Sequence, residues 1–530
     1  MGYYEDQIIT VSDFSLTQVA GGVMTKIYRS RWLIVFLTVL FLGFHGWSLL
    51  RFPLPFVDEA WNASRAWGFL QTGRIYGSLD SDFMQSYKGY GSYFPIFPIL
   101  AYAISFWLRG APTLCAARFV SLLFGFFLVG SVYVLALWLK GREYALLSAL
   151  LVVTSLPFSF SAHLARSDIM AAGFGYAALA FYFYRRSSHR GWWNVVAGLL
   201  VGVAFECHAH AAIYGPVLLS LEFYRWRGRI FRKRSFYEIV LGGGLGLGLY
   251  GSLHLLPSPR TYFEFNRIFF SATHTPPLLT GDPRVILKSF ADLALSLWEI
   301  YPIGSILIVF VLFALVRSLD GESNTVAVLA GALILFGALL IRNKMSYYTI
   351  LITPGLDLAI AYVVWLEITR ARQRTLWAYA RRVLILAAYV ASVLLIILQW
   401  NVNIYPYYLA TQERLNEVIR PDDAIIGTQT YWFDLYTHDY DSWEELVYYQ
   451  RYRPGSTVAE ALAYLRPDVF IIDDHADGFI TDEPGEELYA QFLTLSRREF
   501  EEFLASHAVL EQAFDNEVYG TVRVYRIRWR

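Results

Sequence analysis

The chain has 530 residues, 56% of them hydrophobic, 17% aromatic and only 17% charged. That balance excludes an ordinary soluble enzyme and a nucleic-acid partner, and it predicts a polytopic, mostly α-helical membrane protein. The net charge of zero conceals a split: from Tyr405 onward there are 24 acidic residues against 11 arginines and no lysine, so the apolar part is basic and the tail is acidic and water-facing. Cys115 and Cys207 lie in apolar segments and offer neither a disulfide framework nor zinc-ligand spacing.

Residues 1–31 read as a cytoplasmic tail ending in Lys26, Arg29 and Arg31, placed inside by the positive-inside rule. Trp32 to Leu50 is longer than a signal-peptide core and is expected to be a retained span. Tyr93 to Leu108 carries Pro95 and Pro98 and reads as a short re-entrant or juxtamembrane helix. Full spans are expected at 112–139, 144–162, 169–184, 192–205, 211–224, 237–256, 297–316, 326–341, 347–366 and 383–400. That makes eleven, with every basic cluster on the cytoplasmic side. Residues 32–404 form the membrane module with an external loop at 51–111. Residues 405–530 form a small α/β domain on the outer side, with helices expected at 410–419, 458–465, 486–495 and 498–506 and strands at 424–427, 469–473 and 521–527.

Adjacent carboxylates Asp58 and Glu59 sit just beyond the first apolar run, followed at helical spacing by Trp61, Ser64 and Trp67. Such a pair at a membrane boundary must face water, a cavity or a cation, and is a site candidate; Asp58 is also placed to cap the helix that follows. The scheme puts a few polar groups at other outer helix ends: Arg166 and Asp168, His208 and His210, and Arg342 and Lys344 followed by Tyr347 and Tyr348. External cations run against the positive-inside bias, and a bound anion accounts for them. Each has a structural alternative: Arg166 and Asp168 pairing with each other, helix-end histidines, and snorkelling of Arg342 and Lys344. His208 and His210, two residues apart, cannot share a helix face, but in an unwound stretch they can flank a ligand. Gly242 to Gly244 lie inside a span and serve helix packing rather than nucleotide binding.

In order along the chain, Asp58-Glu59-Ala60, the Tyr90 to Pro98 stretch, Ala116-Ala117-Arg118, Leu139 to Arg142, Leu164 to Asp168, Gly202 to Phe205 and Lys344 to Pro354 resemble the GT-C membrane glycosyltransferases. The resemblance is to the bacterial relatives of protein O-mannosyltransferases and of aminoarabinose lipid A transferases, glycosyltransferase families 39 and 83. The chain departs from them with Ser167 where an Arg-Pro-Asp motif is common, and with Cys207-His208 where a Thr-Lys or Thr-His pair is frequent. The resemblance implies transfer of a sugar from a polyprenyl-phosphate donor to a lipid, glycan or protein acceptor at the outer face of the inner membrane, with inversion. Asp58 would be the general base, Glu59 an acceptor-orienting or structural partner, and Arg342 and Lys344 the cations for the departing phosphate. The resemblance leaves open whether Asp58 and Asp168 hold a divalent cation. A transporter or lipid flippase, with the external charges as a gate, is the alternative from another class, although ionisable residues avoid the span centres here. A non-catalytic lipid-binding scaffold is the third reading.

Overall fold

The computed structural model describes residues 40, 43–80, 94–184, 192–265, 275–308, 321–342, 344–369, 387, 390–398, 401, 403–483 and 493–529. Two compact units are defined, Met1–Trp47 and Ser48–Arg530, and the second contains both the helical bundle and the sheet. Parts of the expected spans at 32–50, 297–316 and 383–400 and of the Tyr90 to Pro98 stretch, and most of the 486–495 helix, lie outside the described residues.

Helix α1 (Val57–Thr72) carries the paired carboxylates. Asp58 does not cap it: Phe56 holds the N-cap position in extended conformation, and Glu59 reaches back to accept the Phe56 N–H at 2.9 Å. With the first turn served by Glu59, the Asp58 carboxylate is left for another partner. The helix stops at Gly73, whose φ of +72° is the left-handed turn that glycine adopts without strain. The chain then folds back, and Arg65 clamps Asp80 through two nitrogens at 2.8–3.1 Å.

Helices α2 (Ile96–Arg109) and α3 (Leu114–Lys140) follow. Among the described residues, α3 is the one helix that alone is long and apolar enough to cross a membrane. The expected span at 144–162 is instead a pair, α4 (Arg142–Val153) and α5 (Leu156–Ala162), bent by 63°. The sequence between explains the break. Thr154 turns its hydroxyl back to the Leu150 carbonyl at 2.6 Å, Ser155 caps α5, and Pro157 cannot donate into a continuing helix. Helix α6 (Asp168–Tyr184) is almost wholly buried and packs on both α3 and α7 (Trp193–Cys207).

The next expected span divides into a 3-10 turn, Ala209–Ile213, and α8 (Tyr214–Trp226). Helix α9 (Arg234–Tyr250) then packs on α7 through glycines: a Cβ on Gly202 would stand 2.3 Å from the Gly246 Cα, so only glycine permits this approach. Gly243 and Gly244 point into open space, so the packing face is Gly242 with Gly246 rather than the glycine run itself.

A helix α10 (Pro283–Ile300) precedes most of the span expected at 297–316, because Asp282 caps it and Pro283 fits its first turn; the chain breaks at Tyr301, and residues 302–308 of the expected span are again helical. Helices α11 (Gly321–Leu340) and α12 (Thr353–Thr369) flank a 3-10 turn, Ser346–Leu351, that ends just before Pro354.

In the tail, α13 (Tyr405–Val418) leads into a five-stranded sheet of order β2-β1-β3-β5-β4, with β1 (Ala424–Gly427), β2 (Asp439–Ser442), β3 (Val469–Ile472), β4 (Ala508–Asn516) and β5 (Gly520–Ile527). Strand β1 pairs in parallel with β2 and β3, and β5 pairs antiparallel with β3 and β4. Strand β2 reads Asp-Tyr-Asp-Ser and has no apolar run to announce it; β4 is mostly exposed and equally silent. Leu495, expected in a helix, forms a bridge with Ile480. The sheet core of Trp443, Phe470, Phe500 and Phe503 reaches Phe94, while Trp432 Nε1 donates to Ser78 Oγ at 2.7 Å and Tyr436 stands edge-on to Trp67. The tail therefore rests on α1 and the loop that folds back beside it.

Candidate active site

Three chain breaks bring the site together: the start of α1, the Arg166-Ser167-Asp168 corner at the start of α6, and the unwound stretch between α7 and α8. Arg166 is the hinge of the cluster. It pairs with Asp58 on one side, and its Nε donates to Asp168 Oδ2 at 2.7 Å on the other. Burial works against the guanidinium charge, but the Asp168 carboxylate overrides it and holds the Arg166 pKa above its ordinary value. The Asp168 side chain is 1% exposed and that of Asp58 40%, so Asp58 is the end of this chain of charges that meets solvent.

His208 is extended, which ends α7 and lets two histidines separated by one residue stack with ring centroids 4.7 Å apart. Its Nδ1 accepts the His210 N–H at 3.2 Å, which leaves Nε2 to carry the proton, 3.4 Å from Asp168 Oδ1. That oxygen accepts no hydrogen bond among the described residues. Tyr348 stands against His210 at 4.3 Å, and Tyr347 lies under the Arg166 guanidinium at 3.6 Å. Phe56, which sequence reasoning passed over, completes the wall 5.8 Å from Tyr347. Asn62 was also missed: it donates to the Ala165 carbonyl at 3.2 Å and ties α1 to the Arg166 corner.

Glu59, expected beside Asp58 in the catalytic pair, points the other way. Its side chain is 0% exposed and fully engaged, accepting from Arg118 at 2.8 and 2.9 Å, from the Ala165 N–H at 2.8 Å and from the Phe56 N–H. Its place is structural. A buried arginine in the longest apolar helix demands an acid nearby, and Arg118 was the readable signal for that.

Lys344, expected to meet an anion, caps α11 by donating to the Ala338 and Ile341 carbonyls. Desolvation pushes its pKa down to about 8 from an ordinary 10.5, with the Asp292 carboxylate working against the shift. Between those values the unfolded chain binds the proton that the folded chain has released, so this lysine makes stability rise with pH from about 8 to 10.5. Thermal melts across that range should show a rise in wild type that Lys344→Met loses; an equal rise in the variant would assign it to other groups. Arg342 is half-buried and has no ion-pair partner among the described residues.

A divalent cation does not fit between Asp58 and Asp168 in this arrangement. Both carboxylates are already on the Arg166 guanidinium, and no three ligating side chains gather among the described residues.

A helical bundle carries its half-exposed carboxylate on the first loop helix, and a small sheet is seated over that helix. Residues 95–247 match the family model described as dolichyl-phosphate-mannose-protein mannosyltransferase. The structure is similar to ArnT from Cupriavidus metallidurans bound to undecaprenyl phosphate, with a TM-score of 0.60 and 15% identity over 94% of this chain and 98% of that one. It is similar to the apo state of the same protein with a TM-score of 0.61 and 17% identity over the same shares. No curated protein sequence matches the chain. The chain thus shares the fold of ArnT, and its 95–247 segment is similar to the O-mannosyltransferase family model.

Proposed function

We propose that the chain is an inner-membrane glycosyltransferase that moves a sugar from a polyprenyl phosphate to an acceptor lipid, glycan or protein at the outer face. In this reading residues 32–404 span the membrane, the N-terminus is cytoplasmic, and the tail from 405 covers the site from outside. The observation that carries it is Asp58, a half-exposed carboxylate fixed by a buried arginine and walled by aromatic rings, on a fold shared with a protein solved with undecaprenyl phosphate.

Asp58 takes the proton of the acceptor hydroxyl or amine as that group attacks the anomeric carbon. The bond from that carbon to the phosphate oxygen breaks, and the polyprenyl phosphate leaves with its electron pair, inverting the anomeric centre. The departing charge needs a cation that is not already committed. Arg166 is held between two carboxylates and Lys344 by two carbonyls, so Arg342 takes that role. The faces of Tyr347, Tyr348, His208 and His210 suit the C–H faces of a sugar ring, and Asp168 holds Arg166 and His208 in register.

The test is turnover of polyprenyl-phosphate sugars by the purified chain in nanodiscs, followed by mass and linkage analysis of the product. Arg342→Gln should raise the KM for the donor about 10-fold, the loss of roughly one charge-assisted hydrogen bond. An unchanged donor KM would move the phosphate elsewhere, and no donor-dependent product with any acceptor class would overturn the reading.

A further inference from the structure

A cavity of about 270 Å³ opens at the far end of the bundle from Asp58. Helix α6 runs 17 residues from Asp168 to Tyr184, about 25 Å at 1.5 Å per residue. Helix α8 runs from just beyond His210 to Trp226, and α11 runs back from Gly321 to the turn that carries Arg342. Each of the three has one end at the candidate site and the other at the cavity, whose lining includes Tyr182, Tyr224, Arg225, Arg227 and Thr325. The separation approaches the roughly 30 Å of a bilayer's hydrocarbon, which sets the cavity at the opposite membrane face.

The charges there are unbalanced. Among the described residues neither Arg225 nor Arg227 pairs with an acid, whereas Arg234 nearby pairs with Glu238 at 2.8 Å. Glu222, next to the lining residue Leu221, is 0% exposed and already takes hydrogen bonds from Tyr182 at 2.8 Å and from Ser235. Arg225 and Lys233 flank the Trp226 ring at 4.8 and 4.0 Å. Phe223, Phe231 and Tyr237 are exposed around them, an aromatic fringe of the kind that lies at a membrane interface.

We infer that this cavity binds the phosphate head group of an anionic phospholipid. The two guanidiniums, neither of them paired with an acid among the described residues, match a phosphate's oxygens. The volume is below the range of pockets that enclose a whole drug-sized ligand, so it takes a head group while the acyl chains lie along Phe223 and Phe231. The inference rests on the membrane-spanning reading and is independent of the catalytic one.

Native mass spectrometry of the full chain, released from detergent with dioleoylphosphatidylglycerol or dioleoylphosphatidylcholine added, tests it. Wild type should retain the anionic lipid in preference to the zwitterionic one; equal retention of both overturns the site. Arg225→Gln with Arg227→Gln should lower retention about 30-fold, the equivalent of about 1 kcal/mol for each basic residue. Arg229→Gln with Arg232→Gln, outside the cavity, should retain the lipid. An equal loss in that control would show diffuse attraction, and unchanged retention in the cavity variant would place the lipid elsewhere. Displacement of the lipid by inorganic phosphate alone would make the site one for free phosphate and overturn the lipid assignment.

Discussion

Asp58→Asn is expected to cut turnover of a polyprenyl-phosphate sugar about 100-fold to 10,000-fold, the usual contribution of a positioned general base. The amide keeps the shape of the side chain and an oxygen for Arg166, but it cannot take up the acceptor's proton. Stability should barely move. The Asp58 side chain is 40% exposed and is not the helix cap, and the buried Arg166 keeps its 2.7 Å contact with the Asp168 carboxylate, so its charge stays paired. Asp58→Glu, which restores a carboxylate one methylene further out, should recover part of the rate. Turnover and a thermal melt measured on the same preparation separate the outcomes. Near-normal turnover in the Asn variant would remove Asp58 from the chemistry, and lost turnover with a collapsed melting temperature would make it a structural residue.

The neighbouring position should behave in the opposite way. Glu59→Ala is expected to cost about 3–5 kcal/mol of stability, because it leaves the Arg118 guanidinium buried without its counter-charge. Ala165 and Phe56 would also lose the acceptor for their backbone N–H groups. Replacing the pair together, Glu59→Leu with Arg118→Met, removes both charges and should recover much of that loss. Unfolding of the single and double variants in detergent, compared in a double-mutant cycle, is the measurement. If the double variant were no more stable than Glu59→Ala, the cost would lie in the lost backbone contacts and not in the unpaired arginine.

Sequence alone determined the helical character of the chain, the order of its main apolar helices, the acidic α/β tail and the polar groups that gather at the site. Composition and periodicity report burial directly, and a carboxylate or arginine next to an apolar run is conspicuous because hydrocarbon excludes it. The tail's strands at 424–427 and 521–527 and its helix at 458–465 were readable for the same reason. Tertiary structure decided the division of labour. Asp58 and Glu59 are equivalent as adjacent letters, but a step of about 100° around the helix turns one to solvent and the other into Arg118. The same applies to the cations: Arg166, Arg342 and Lys344 all read as external positive charges, and only their contacts show that one is held between two carboxylates, one caps a helix and one has no ion-pair partner among the described residues. The 63° bend between α4 and α5, the stacked histidines and the seating of Trp432 on Ser78 were likewise invisible. They depend on contacts between segments far apart in the chain, and a one-dimensional pattern records how much a residue is buried but not by what.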